Sequence, residues 1–120
     1  MRTSLPRPQG ATAARLRQRK FALVRQFHVP DDLLPGSLVQ SATRCGKPTC
    51  HCAEGDGHPA WSLTFMVDGH KRVERIPHAW VADVQRQVDA GRAFQDAVRE
   101  VLAANAQLLA LARQQRRRRP

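Results

Sequence analysis

Three thiols and an imidazole stand within fourteen residues, in the order Cys45-x4-Cys50-x-Cys52-x5-His58. These are all the cysteines of the 120-residue chain. Zinc takes four such ligands in a tetrahedron, and three cysteines with one histidine form a known structural set. Gly46 and Pro48 would turn the chain so that Cys45 and Cys50 converge. His51 and His70 are alternates for the fourth place, but His51 lies between two close cysteines and is expected to point away. The Cys-x-Cys step is a tighter bite than the usual pair of Cys-x2–4-Cys arms. Two other readings therefore stand beside zinc: reduced structural thiols among turn residues, and redox or disulfide chemistry. Three cysteines cannot all pair within one chain, and no secretory apolar segment is visible near the start. A reducing, cytoplasmic setting is expected rather than a disulfide scaffold.

Catalytic constellations are missing from the rest of the sequence. There is no phosphate-cradling Gly-Lys-Ser/Thr loop, no His-Glu-x-x-His and no Gly-x-Ser-x-Gly. The ten carboxylates are scattered, so no acid pair or acidic metal triad can be assembled. Lys47 near Cys45 could lower a thiol pKa. No base or acid stands ready to partner such a nucleophile, and a non-enzymatic role is expected.

The elements that must position these groups follow from periodicity. Residues 1–10 hold Pro6, Pro8 and Gly10 and are expected to be flexible. From Ala11, apolar residues at Ala13, Leu16, Leu23, Val24 and Phe27 share a helical stripe, which predicts a helix over 11–28 that ends before Pro30. That stripe is expected to pack on the chain's own domain. Ser37–Arg44 suits an extended segment. Trp61, Leu63, Phe65 and Val67 alternate with period two, and Asp68-Gly69 is a two-residue hairpin turn that returns the chain as His70–Ile76. In that register Trp61 faces Ile76, and Thr64 and Met66 flank Val73 on the other side. Pro77 closes the strand. A last helix is expected over 78–113, roughly 50 Å long at 1.5 Å per residue. Its seam runs through Val84, Val88, Gly91, Val98, Leu102, Asn105 and Leu109 at three–four spacing. A seam that long exceeds what a small sheet can cover. Either Gly91 breaks the helix, the simpler reading, or the distal part packs on a second copy as a homodimer. The Ala-rich second half argues for a persistent helix. The fold class expected is α+β, in one domain over 11–113: a basic N-terminal helix, the cysteine loop and a two- to three-stranded antiparallel sheet over 37–77, a long C-terminal helix, and a basic tail at 114–120.

Charge is unevenly spread. The formal net charge is +10, yet the first 29 residues carry seven basic side chains and no acid, and the last eight carry five and no acid. The stretch 30–112 then holds eight basic residues against all ten acids. Basic ends suit a polyanion, so Arg15, Arg17, Arg19, Lys20, Lys47, Arg72, Arg75, Arg116, Arg117, Arg118 and Arg119 are expected to contact nucleic acid phosphates. The alternative is a protein-interaction and dimerisation module whose arginines only keep it in solution. No apolar run approaches the length of a membrane span, and no membrane partner is expected.

The central stretch carries a resemblance. Gly36-Ser37-Leu38-Val39, then Cys45-Gly46-Lys47-Pro48-x-Cys50-x-Cys52-Ala53-x-Gly55, His58-Pro59 and Trp61 resemble the "GSLV…CGKPxCxCAxG…HGP[YW]" signature. That signature marks a family of small uncharacterised prokaryotic proteins, often encoded beside transposases. The likeness covers roughly residues 36–77 and the pattern of a trailing helix. It implies a mobile-element context and no defined activity. Here His58-Pro59-Ala60-Trp61 lacks the Gly that follows the histidine in the signature.

Overall fold

The computed structural model describes residues 5–44, 46–50, 55 and 57–118. Its elements are helix α1 (Ala11–Phe27), strands β1 (Ser37–Thr43), β2 (His58–Val67) and β3 (His70–Ile76), a 3-10 turn (His78–Trp80) and helix α2 (Val81–Arg118). The fold is α+β, with one antiparallel sheet in the order β1-β2-β3.

The hairpin forms as its alternation predicts. Asp68 and Gly69 both take positive φ, 52° and 80°, as a type I′ turn requires. Trp61 pairs with Ile76 and Thr64 with Val73. β2 starts three residues earlier than the alternation shows, because Pro59 and Ala60 continue the ladder against Ala42 and Ser41 of β1. Odd-numbered residues of β2 face α2: Leu63 is buried, and Phe65 and Trp61 are half-buried. The other face carries Ser62, Thr64, Met66, Val39, Val73, Lys71 and Arg75, with Val39, Met66 and Val73 more than half exposed.

The core is small. Leu63, Val84 and Val88 form its centre, with Leu5, Leu34, Leu38, Phe65, Ile76 and Trp80 packed around it. Leu5 thus lies on the core although it belongs to the stretch expected to be loose. Two glycines let the connection 33–36 close onto this core. Gly36 has φ +88°, and a Cβ there would fall on the Thr64 backbone carbonyl. Gly91 is buried, and a Cβ there would fall on the Leu34 carbonyl oxygen. The Leu34 N–H donates to the Gln87 carbonyl at 3.1 Å, and Arg92 donates to the Gly36 carbonyl at 3.3 Å.

Both expected helices form, and each differs from expectation in one respect. α2 runs unbroken through Gly91, so the expected break does not occur. Gly91 serves close backbone approach rather than helix termination. The helix begins as a 3-10 turn after Pro77, continues to Arg118, and spans about 57 Å at 1.5 Å per residue. Only its first three turns meet the sheet and the 33–36 connection; residues 95–116 are exposed. α1 ends at Phe27 because His28 takes left-handed geometry (φ 55°) and its N–H caps the Val24 carbonyl. α1 buries none of its residues, and Leu16, Leu23 and Phe27 are 64, 48 and 61% exposed. The packing expected for its stripe is absent, because Leu34, Val84 and Val88 already fill the inner face of the sheet.

Candidate functional site

The β1–β2 ladder gathers the thiol region at one end of the sheet. Thr43 pairs with His58, so the connection between them leaves and re-enters the sheet at one point. Gly46 takes φ +82°, and the Cys50 N–H donates to the Lys47 carbonyl at 3.1 Å, closing a tight turn at Lys47–Cys50. Arg44 donates to the Gly55 carbonyl at 3.3 Å across the base of the connection. This arrangement brings Cys50 Sγ to 3.3 Å from His58 Nε2, in a partly buried position.

That distance fits two chemistries. It suits a thiol–imidazole hydrogen bond. It is also close to one edge of a zinc tetrahedron: ligands at about 2.3 Å (sulfur) and about 2.0 Å (nitrogen) stand roughly 3.5 Å apart at the tetrahedral angle. Of the four expected ligands, Cys50 and His58 come together. Cys45 and Cys52, like the alternate His51, lie outside the described residues. Among the described residues no group of three metal-ligating side chains occurs. The alternate His70 pairs with Val67 beside the hairpin turn, at the opposite end of β2 from His58.

The expected phosphate contacts fall into separate places. Arg15, Arg19 and Lys20 are exposed on α1, while Arg17 is half-buried and donates to the Pro8 carbonyl at 2.8 Å. Lys20 Nζ lies 5.2 Å from the Phe21 ring centroid. Lys47 is exposed in the thiol connection. Arg72 and Arg75 stand on opposite faces of β3. Arg72 sits over Phe65 (5.7 Å) and 3.4 Å from Glu74, whereas Arg75 is on the open face opposite Ser62. Arg116 is exposed in the last turns of α2, in whose backbone Arg117 and Arg118 also lie. Arg119 is outside the described residues. Among the described residues there is therefore no single basic cleft: the cations are spread over α1, the thiol connection, β3 and the far end of α2.

The sequence did not single out one feature of this surface. Asp31 and Asp32 lie with Leu33, Leu34 and Gln87 around a hollow beside α2, just where its seam passes from covered to open. Their only sequence signal was a pair of acids between two prolines, which reads as an ordinary turn.

No helix among the described residues is long and apolar enough to cross a membrane. No curated protein and no solved structure matches the chain. A family model does, over residues 13–86, from the first helix through the thiol connection and sheet to the covered part of α2. The chain accordingly belongs to the family described as Domain of unknown function (DUF6788).

Proposed function

We propose that this chain is a small, non-enzymatic accessory protein that binds nucleic acid through its basic helices, and that it works as a homodimer. The observation that carries the reading is α1. It buries no residue, yet it is a continuous helix with five cations and no acid: Arg15, Arg17, Arg19, Lys20 and Arg25. A helix with no core to serve and a uniform positive charge suits the phosphate backbone, which attracts it without regard to sequence. The signature's association with transposase genes agrees with that context.

The distal part of α2 supports the dimer. Leu102, Leu108 and Leu109 are 62–67% exposed there, and a solitary helix in water gains little from such side chains. The contact between Cys50 and His58 favours a third feature: zinc held by Cys45, Cys50, Cys52 and His58 as a structural clamp at the end of the sheet. In a reducing cytoplasm those thiols would be available to a metal.

A gel-shift titration on duplex and single-stranded DNA at two salt concentrations tests the binding. Log K should fall with log salt at about −0.9 per phosphate neutralised on duplex. Deleting residues 117–120 should flatten that slope by up to about three contacts, and replacing Arg15, Arg17 and Arg19 by Gln should flatten it further, alike for all sequences. Absence of any shift by the intact protein at low salt would rule nucleic acid out.

A further inference from the structure

The dimer leaves open how two copies meet. We infer that the second copy lies antiparallel on the open seam of α2, with its Arg113 and Arg116 docked at Asp31 and Asp32 of the first copy. This inference rests on the dimer reading above.

The seam itself sets the overlap. Towards the N-terminus of α2 it is closed: Leu34 sits on Gly91, and Leu63 packs with Val84 and Val88. The open part starts near Phe94 and continues through Val98, Val101, Leu102, Asn105, Leu108 and Leu109 to Ala112, widened by the half-exposed Leu111. It is about 28 Å long, between two and three heptads. Two copies that share all of it in opposite directions cross near Ala103 and Ala104. Leu102 of one then neighbours Asn105 of the other, Val98 neighbours Leu109, and the end of each helix arrives where the other's seam closes.

Charge makes that ending complementary. Asp31 and Asp32 border the closing point, and neither has an ion-pair partner among the described residues. Lys20 borders the same hollow beyond ion-pair distance. Of the other acids on α2, Asp96 is bridged by Arg99 at 3.0 Å, Asp83 by Arg86, and Asp89 accepts from Gln85 at 2.9 Å. Glu100 lies in the middle of the overlap, away from the arriving arginines. The arriving end carries Arg113 and Arg116, both exposed, and no acid. In the parallel alternative, Arg113 and Arg116 of one copy would flank the same arginines of the other, and the two sheets would crowd at one end. Each Asp31-Asp32 pair would then face water.

A photoreactive amino acid placed at Gln114, followed by sedimentation and peptide mapping of the crosslinked full-length chain, reads the arrangement. An antiparallel dimer gives crosslinks to residues near 90–97. Crosslinks to residues near 111–118 would overturn the orientation while leaving the dimer intact. A monomer at tens of micromolar, about where modest interfaces populate, would overturn the dimer and the orientation with it. Exchanging the charges supplies a second readout. The Asp31→Lys, Asp32→Lys variant should dissociate about tenfold more readily, since two exposed ion-pair clusters are lost per dimer. Adding Arg113→Glu and Arg116→Glu should restore the affinity. Failure of the fourfold variant to recover, with the twofold variant weakened, would place the acids elsewhere than at the interface. No weakening in the twofold variant would likewise reject the docking.

Discussion

At the scale of single residues, the contact of Cys50 with His58 decides what the thiol region is for. If it is one edge of a zinc tetrahedron, about one equivalent of zinc should accompany protein purified without added metal or a histidine tag. Chelator should then lower the unfolding midpoint, because metal binding and folding are coupled in such sites. His58→Ala should weaken retention of the metal more than His51→Ala. Metal-free protein that keeps full stability in chelator would leave a thiol–imidazole hydrogen bond as the whole story. The sequence offered His58 as a candidate by its spacing from Cys50 and Cys52. The reason it lies beside Cys50 was not legible there, since that depends on the ladder continuing past Trp61 to His58, and Pro59 hides such a continuation from any reading by alternation.

Among the elements, α2 shows how a local cost can hide a tertiary purpose. Helix propensity alone makes Gly91 a weak point, by up to about 1 kcal/mol against alanine. The Leu34 carbonyl fills the space a methyl would occupy. Gly91→Ala should therefore destabilise the fold by about 1–3 kcal/mol in urea titration, despite the better propensity, since backbone must move to admit the methyl. A gain in stability would mean that the 33–36 connection lifts off α2 without cost. The hairpin was fully legible, because Asp68-Gly69 and the alternation around it are local signals. The fate of α1 was not. An amphipathic stripe looks the same whether a sheet covers it or solvent does, and only the count of competing apolar residues at the inner sheet face separates the two.

The molecule as a whole measures 84 × 37 × 29 Å, with a radius of gyration of 21.6 Å. A compact chain of this length would have about 14 Å. The small sheet and its core occupy one end, and α2 projects from it like a handle. Charge follows the same division, with a near-neutral body and basic projections. That division could be read in advance by counting acids and bases along the chain, since formal charge needs no knowledge of folding. The reach of the projections could not, because it depended on whether Gly91 interrupted α2.

The length of α2 also governs how this protein drifts through solution. A rod of such proportions experiences more friction than a sphere of equal mass, so even a single 13.5 kDa chain should leave a size-exclusion column early, as though it were a larger globule. Two chains overlapped head to tail along the open seam would double the mass while adding less than double the length. Their frictional ratio would then rise little above that of one chain, whereas end-to-end association would raise it sharply. Light scattering paired with sedimentation velocity should report that modest rise. A dimer with a much higher frictional ratio than the monomer would show that the copies meet at their tips instead of along their flanks.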